Sequence, residues 1–269
     1  GGFTAEVAYV GNHGVNIFTN NQGNINASMI PGSGNAGRPL SRLFGRNADV
    51  NQTYFFPTSY NSLQTKLNRR YANGLSMTTS YAFGKAIDFN ASTTGGNFNN
   101  VNLRANRGLA DWDRRHVFTQ NWVYDLPLGA GKKFAQSGLA KRILGDWQTN
   151  ALWTWNSGLP LDIFMSSTSS LNAPGNINRP NVNGPVNILG NIGPGQQYFD
   201  PSAFSAPVPN TFGNLGRNVL HGPGIFTIDL SLTKKIRVTE RVNAELRGDA
   251  FNLTNHPLFD RPNSGFGGQ

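Results

Sequence analysis

The sequence predicts an all-β chain, part of an antiparallel transmembrane β-barrel, and three observations predict it. Stretches of strand length alternate in polarity, the links between them alternate between long and short, and strand and turn formers dominate the composition. Of the 269 residues, 14 % are charged, 11 % are aromatic and 32 are glycine. Seven strands are expected at 2–11, 59–71, 75–86, 115–126, 145–156, 225–236 and 241–253. Each is close to the ten or so residues that a tilted strand needs to cross a bilayer core.

The first strand is followed by an Asn/Gly/Pro-rich link, 12–58, and the second by a three-residue turn, Ala72-Asn73-Gly74. Then come 87–114, 127–144, 157–224 and a tight turn near Val238. Long links fall on one side of the sheet and shorter ones on the other, which is the ordinary form of an outer-membrane barrel and rare in a soluble domain. The stretch 165–224 approaches low complexity and reads as a loop with too little apolar surface to fold alone.

In the hairpin 59–86, Leu63, Leu67, Tyr71, Leu75, Met77, Tyr81 and Phe83 share odd parity, while Gln64, Lys66, Asn68, Arg70, Ser76, Thr78 and Ser80 share even parity. One face is apolar and suits lipid; the other is wet and suits the interior. Asn73-Gly74 supplies the positive φ angles of a tight hairpin. The strand 145–156 sets Trp147, Ala151, Trp153 and Trp155 against Gln148, Asn150, Thr154 and Asn156. Its tryptophans suit an interfacial girdle better than a stacking platform for sugars or single-stranded nucleic acid.

In the last hairpin, Phe226, Ile228, Leu230 and Leu232, then Val242, Ala244, Leu246 and Ala250, form the apolar set. Asp229, Glu245, Arg247 and Asp249 fall on the polar face. A turn centred on Val238 would place Arg247 opposite or diagonal to Asp229, so a cross-strand contact between them is expected.

Composition also excludes. With no Cys there is no disulfide, thiol nucleophile or thiolate metal site. No run approaches the eighteen or so apolar residues of a membrane helix, so lipid contact requires strands. A mean hydropathy of −0.39 is compatible with strands that show every second residue to lipid. The formal charge of +9 is scattered rather than striped, which argues against nucleic acid and for basic loops and rims near anionic head groups. The chain opens on Gly1-Gly2-Phe3, directly in strand pattern, and is expected to be a piece of a longer protein.

Asp111, Asp113, Arg114, Arg115 and His116 form the densest charged cluster. An acid/base pair with an electrophilic Arg is one reading; salt bridges and loop ordering at the rim are the simpler one. His13, His116, His221 and His256 are isolated, with no HExxH and no i, i+4 pair, so no metal site is expected. Gly213-Asn214-Leu215-Gly216 and Gly222-Pro223-Gly224 lack the strand-to-helix setting of a phosphate cradle and read as turns. No serine lies in a GxSxG elbow and no carboxylate pair suggests a glycosidase. Neither an enzyme nor a cofactor is expected.

The stretches YNSLQTKLNRRYANGLSMTTSYAFGKAID (60–88), ADWDRRHVFTQNWVYDLP (110–127), GDWQTNALWTWNSGLPLDI (145–163) and FGNLGRNVLHGPGIFTIDLSLTKKIRVTERVNAELRGDAFNLTNHPLF (212–259) resemble TonB-dependent outer-membrane receptors of the Oar-like type. They cover about half the chain and six of the seven strands. The resemblance implies a Gram-negative outer-membrane location, a barrel of about 22 strands around an N-terminal plug, and energy delivered through TonB. Residues 1–269 are then a partial barrel domain, an open, curved sheet of about seven strands, without the plug, the N-terminal module or the family's final strand.

Under that resemblance Lys66, Arg70, Asp229, Glu245, Arg247 and Asp249 line the lumen and meet the plug. Leu63, Leu67, Tyr71, Met77, Tyr81, Phe83, Trp147, Trp153, Trp155, Phe226, Ile228, Leu230 and Leu246 face lipid or its girdles. The implied partners are outer-membrane lipid, the plug, the TonB complex and an unidentified ligand captured by the long loops for uptake. A passive porin-like channel and a soluble carbohydrate-binding β-sandwich at the cell surface are the alternatives.

Overall fold

A computed structural model describes residues 2–18, 23–89, 98–239 and 241–267. Its centre is a single antiparallel meander of seven strands: β1 (Phe3–Phe18), β2 (Phe55–Ala72), β3 (Leu75–Asp88), β4 (His116–Asp125), β5 (Trp147–Asn156), β6 (Ile225–Arg237) and β7 (Asn243–Ala250). Each strand pairs with its neighbours in sequence, and a two-residue strand, Gly108–Leu109, extends the pairing at the end of β3. All seven expected strands are present and the sheet is open, with β1 and β7 at its edges. Among the described residues no second layer covers it: Leu63 is 45 % exposed and Leu246 56 %, which excludes a two-layer sandwich core.

Register decides the faces. Leu63 pairs with Phe83 and Phe83 with His116; Phe118 pairs with Trp155, Trp155 with Phe226, and Leu232 with Gly248. Every residue expected on the apolar face except Tyr71 therefore lies on one side. Lys66, Arg70, Asp229, Glu245, Arg247 and Asp249 lie on the other.

Tyr71 requires a correction. A bulge between Arg69 and Ala72 inserts one extra residue before the Asn73-Gly74 turn, so parity counted from Leu63 fails there. The Tyr71 hydroxyl donates to the Asp125 carboxylate, which lies on the polar face. Asn73 and Gly74 take φ of 52° and 81°, as the turn demands.

The expected contact between Asp229 and Arg247 does not form. The two share a face, yet Arg247 stands opposite Thr233, four residues beyond Asp229. The turn is centred two residues beyond Val238, as the pairing of Arg237 with Asn243 requires, and Val238 N–H donates to the Val242 carbonyl while Thr239 Oγ1 accepts from Val242 N–H, both at 3.0 Å. Arg247 pairs instead with Asp249 on its own strand at 2.9 Å, and Asp229 accepts from Asn252 N–H at 2.8 Å.

β1 and β2 run 16 and 18 residues, well past the length that crosses a bilayer core, and continue as a ribbon on the side of the long links. That side also holds most of the buried interior. Ile163, Phe204 and Leu215 form an apolar cluster with Val182, Val186, Phe199, Leu220 and Phe266 against it. The expectation that 165–224 cannot bury enough apolar surface holds only for that segment in isolation, since its cluster is completed by Ile163 and Phe266 from outside it. The opposite side carries short turns and the seven-residue helix α2 (Gly138–Leu144).

Candidate functional site

Three links, 23–52, 98–115 and 157–224, fold together above one end of the sheet as a cap with little regular structure. Where its irregular backbone is buried, its N–H and C=O groups need partners that no ladder supplies. Asparagine side chains supply them, since an amide offers donors and acceptors together. Asn24, Asn26, Asn99, Asn100, Asn106, Asn176, Asn178 and Asn218 are all buried.

Their bonds close a ring through all three links. Asn24 N–H donates to Asn100 Oδ1 at 2.8 Å, Asn100 N–H to Asn176 Oδ1 at 2.8 Å, and Asn176 Nδ2 to the Ser28 carbonyl at 2.9 Å. Within the first link, Asn26 Nδ2 donates to the carbonyls of Arg46 and Ala48, while its oxygen accepts from Leu40 N–H at the start of the helix α1 (Pro39–Phe44).

Three buried arginines brace the ring. Arg38 meets Asp49 at 2.6 Å, Arg179 grips Asp162 through two bonds of 2.7 Å, and Arg217 spans Asp88 at 2.6 Å and Asp111 at 3.0 Å. Burial acts to raise the Asp49 carboxyl; hydrogen bonds from Arg38 and Asn24 and the charge of Arg38 outweigh it and hold the group below its ordinary 3.8. Phe98 is fully buried beside Tyr54 and Phe56, and Phe56 stacks on Phe89 with centroids 4.6 Å apart.

The Asp111 to His116 cluster fastens this cap to the strand ends. Asp113 Oδ1 accepts from Ala86 N–H, Asp111 takes Arg217 and Asn218, Arg114 donates to the Ser157 carbonyl at 2.7 Å, and His116 N–H donates to Ser157 Oγ at 3.0 Å. These groups thus hold backbone or another loop, while among the described residues Asp113 Oδ2 and Arg115 Nε are buried without a hydrogen-bond partner. Gly158 matters beside them, because a Cβ there would meet the Gly222 carbonyl oxygen at 1.7 Å.

His221 sits next to this cluster, and burial lowers its pKa below the ordinary 6.5; the Asp113 charge pulls the other way and the Arg115 charge reinforces the fall. The closed cap therefore binds a proton less readily than the opened one. As pH falls below about 6.5, the opened form gains a proton that the closed form refuses, and the cap loses stability. Thermal unfolding of the cap, read by near-ultraviolet circular dichroism, should shift to lower temperature between about pH 7.5 and about pH 5.5, and His221→Phe should reduce that shift.

Below the cap, the two faces of the sheet differ in kind. On the apolar face an aromatic run joins Phe83, His116 and Trp155, and a second joins Phe118, Trp153 and Phe226. Trp147 lies toward the far end of β5. Trp147 and Trp155 are eight positions apart on one strand. That spacing is about 26 Å along the strand and about 20 Å along a barrel axis at the usual tilt, near the height of a lipid-facing band. On the polar face one shallow cleft of about 250 Å³ is lined by Glu6, Gln64, Lys66, Ser80 and Thr119. Another of about 320 Å³ is lined by Asn121, Asn150, Asp229, Ser231, Arg247 and Asp249.

The cap's asparagines and arginines were missed by sequence reasoning, which took the first for turn formers and the second for scattered charge. Lys234 was missed too. It lies on the apolar face, yet is only 8 % exposed, donating to the carbonyls of Arg142 and Ile143 at 2.6 and 2.8 Å. Among the described residues no three His, Asp or Glu gather as a metal site.

The family model for "Outer membrane beta barrel domain" matches residues 1–269. No curated protein and no solved structure matches the chain at a significant level. A meander of membrane-length strands with one apolar and one polar face agrees with that match, which covers the whole chain: the protein belongs to the outer membrane β-barrel domain family and resides in the outer membrane of a Gram-negative bacterium.

Proposed function

We propose that the chain forms part of the wall and the external capture surface of a TonB-dependent, Oar-like receptor, serving substrate binding and uptake rather than catalysis. The observation that carries this reading is the cap. Three long links are locked to one another through Asn24, Asn100 and Asn176, which makes a surface of fixed shape at the external end, as selective capture needs. The apolar face meets lipid and the polar face lines the lumen. Among the described residues Lys66, Arg70 and Glu245 make no ion pair there, which leaves them available to a plug.

The full-length protein, inserted in a planar lipid bilayer, tests this against the porin-like reading. A plugged receptor should show no steady conductance until a denaturant loosens the plug, and conductance should then rise reversibly. Large, persistent conductance without denaturant would establish a passive channel instead.

A further inference from the structure

We propose that the link 127–144 is a membrane-surface anchor that lays α2 on the apolar face of the barrel and grips anionic phospholipid head groups of the leaflet opposite the cap. This rests on the barrel's membrane placement and not on the TonB reading. Position comes first. Trp147 Nε1 donates to the Ile143 carbonyl at 3.0 Å, and Lys234 Nζ donates to those of Arg142 and Ile143 while lying 5.5 Å over the Trp147 ring. Both side chains stand on the apolar face, so the helix is held on the lipid side of the wall rather than in the lumen. The lysine's charge meets the negative end of the helix, which explains a cation on this face.

The surface left outward is apolar and basic at once. Phe134, Leu139, Ile143 and Leu144 are exposed, Leu139 by 70 % and Ile143 by 58 %. Leu139 and Ile143 are four residues apart, on one side of the helix. Lys133, Lys141 and Arg142 add three positive charges, and 127–144 contains no Asp or Glu, whereas Lys132 turns to the polar side beside Asp125. Apolar side chains that continue the lipid-facing surface, with the cations of Lys133, Lys141 and Arg142 on the same link, complement the acyl chains and phosphates of an anionic lipid interface. The long links lie on the external side, so this leaflet is the periplasmic one, made of phospholipid.

Residues 1–269 contain no cysteine, so the label goes to one chosen position once any cysteine elsewhere in the full-length protein is replaced by serine. In the full-length protein, Leu139→Cys is labelled with bimane after insertion into vesicles of phosphatidylethanolamine with phosphatidylglycerol, and Leu230→Cys serves as the mid-wall control. Acyl-brominated phosphatidylglycerol should quench the label at 139 more strongly than brominated phosphatidylcholine, and aqueous iodide should quench it weakly. Lys141→Gln with Arg142→Gln should reduce the preference for phosphatidylglycerol by up to about fivefold per charge removed; Lys133→Gln is the second, independent substitution. Strong iodide quenching at 139 with lipid quenching intact at 230 overturns the anchor while leaving the barrel standing. Shielding from both quenchers also overturns it, by showing protein over the helix. Failure at 230 as well would overturn the membrane placement itself.

Discussion

Arg217→Ala is expected to open the cap, at a cost of about 3–5 kcal/mol. The guanidinium is the brace with most partners: its side chain is 1 % exposed, and it bonds the Asp88 and Asp111 carboxylates and the Asn106 carbonyl from a link more than a hundred residues away in sequence. Removing the cation leaves the charges of two carboxylates close together with no cation between them, and that residual charge is what makes the loss large. The measurement is thermal unfolding together with limited proteolysis of the folded protein in vesicles. Cleavage within 157–224 should accelerate strongly while the strands stay protected. Arg217→Lys should recover only part of the loss, because an ammonium cannot present the planar fork that spans two carboxylates. A wild-type proteolysis pattern in Arg217→Ala would show that the apolar cluster around Ile163 holds the cap by itself.

Leu230→Arg should destabilise the inserted barrel by about 2–4 kcal/mol, as a cation costs at mid-membrane depth on a lipid-facing position. Depth and face are both fixed by register. Leu230 pairs with Ala151, which lies midway between Trp147 and Trp155 on β5. Asn150→Arg, one residue from Ala151 on the polar face and lining the 320 Å³ cleft, is the matched control and should cost far less. Urea titration of folding into phospholipid vesicles measures both. Equal losses at the two positions would mean that the two faces meet similar surroundings, and the assignment of the apolar face to lipid would fall.

The sheet was legible because its signal is local. Alternation along Leu63 to Leu67 or Phe226 to Leu232 reports one face directly, and Asn73-Gly74 names its own turn. Parity is only as good as an unbroken ladder, however. One extra residue at the bulge after Arg69 moved Tyr71 to the polar face, and a turn centred two residues beyond Val238 moved Arg247 four residues from Asp229. Both are errors of register, which short-range pattern cannot see.

The cap was illegible for a different reason. An asparagine that forms a turn and one that replaces a ladder bond look identical in sequence, and only the meeting of positions 24, 100 and 176 distinguishes them. The same holds for Arg217, whose partners at 88 and 111 are brought near by the meander and not by spacing. The Asp111 to His116 cluster was correctly placed at a rim, although its task of pinning Ser157 and Ala86 emerges only from the folded chain.

The closed ring from Asn24 through Asn100 and Asn176 to Ser28 has a consequence for how such a surface evolves and how it can be engineered. Each segment finishes the hydrogen bonding of the other two, so transplanting a single one from a relative would orphan amides in its neighbours. New ligand specificity is more readily reached by exchanging the three segments as one cassette, or by changing exposed tips that bear no part of the ring.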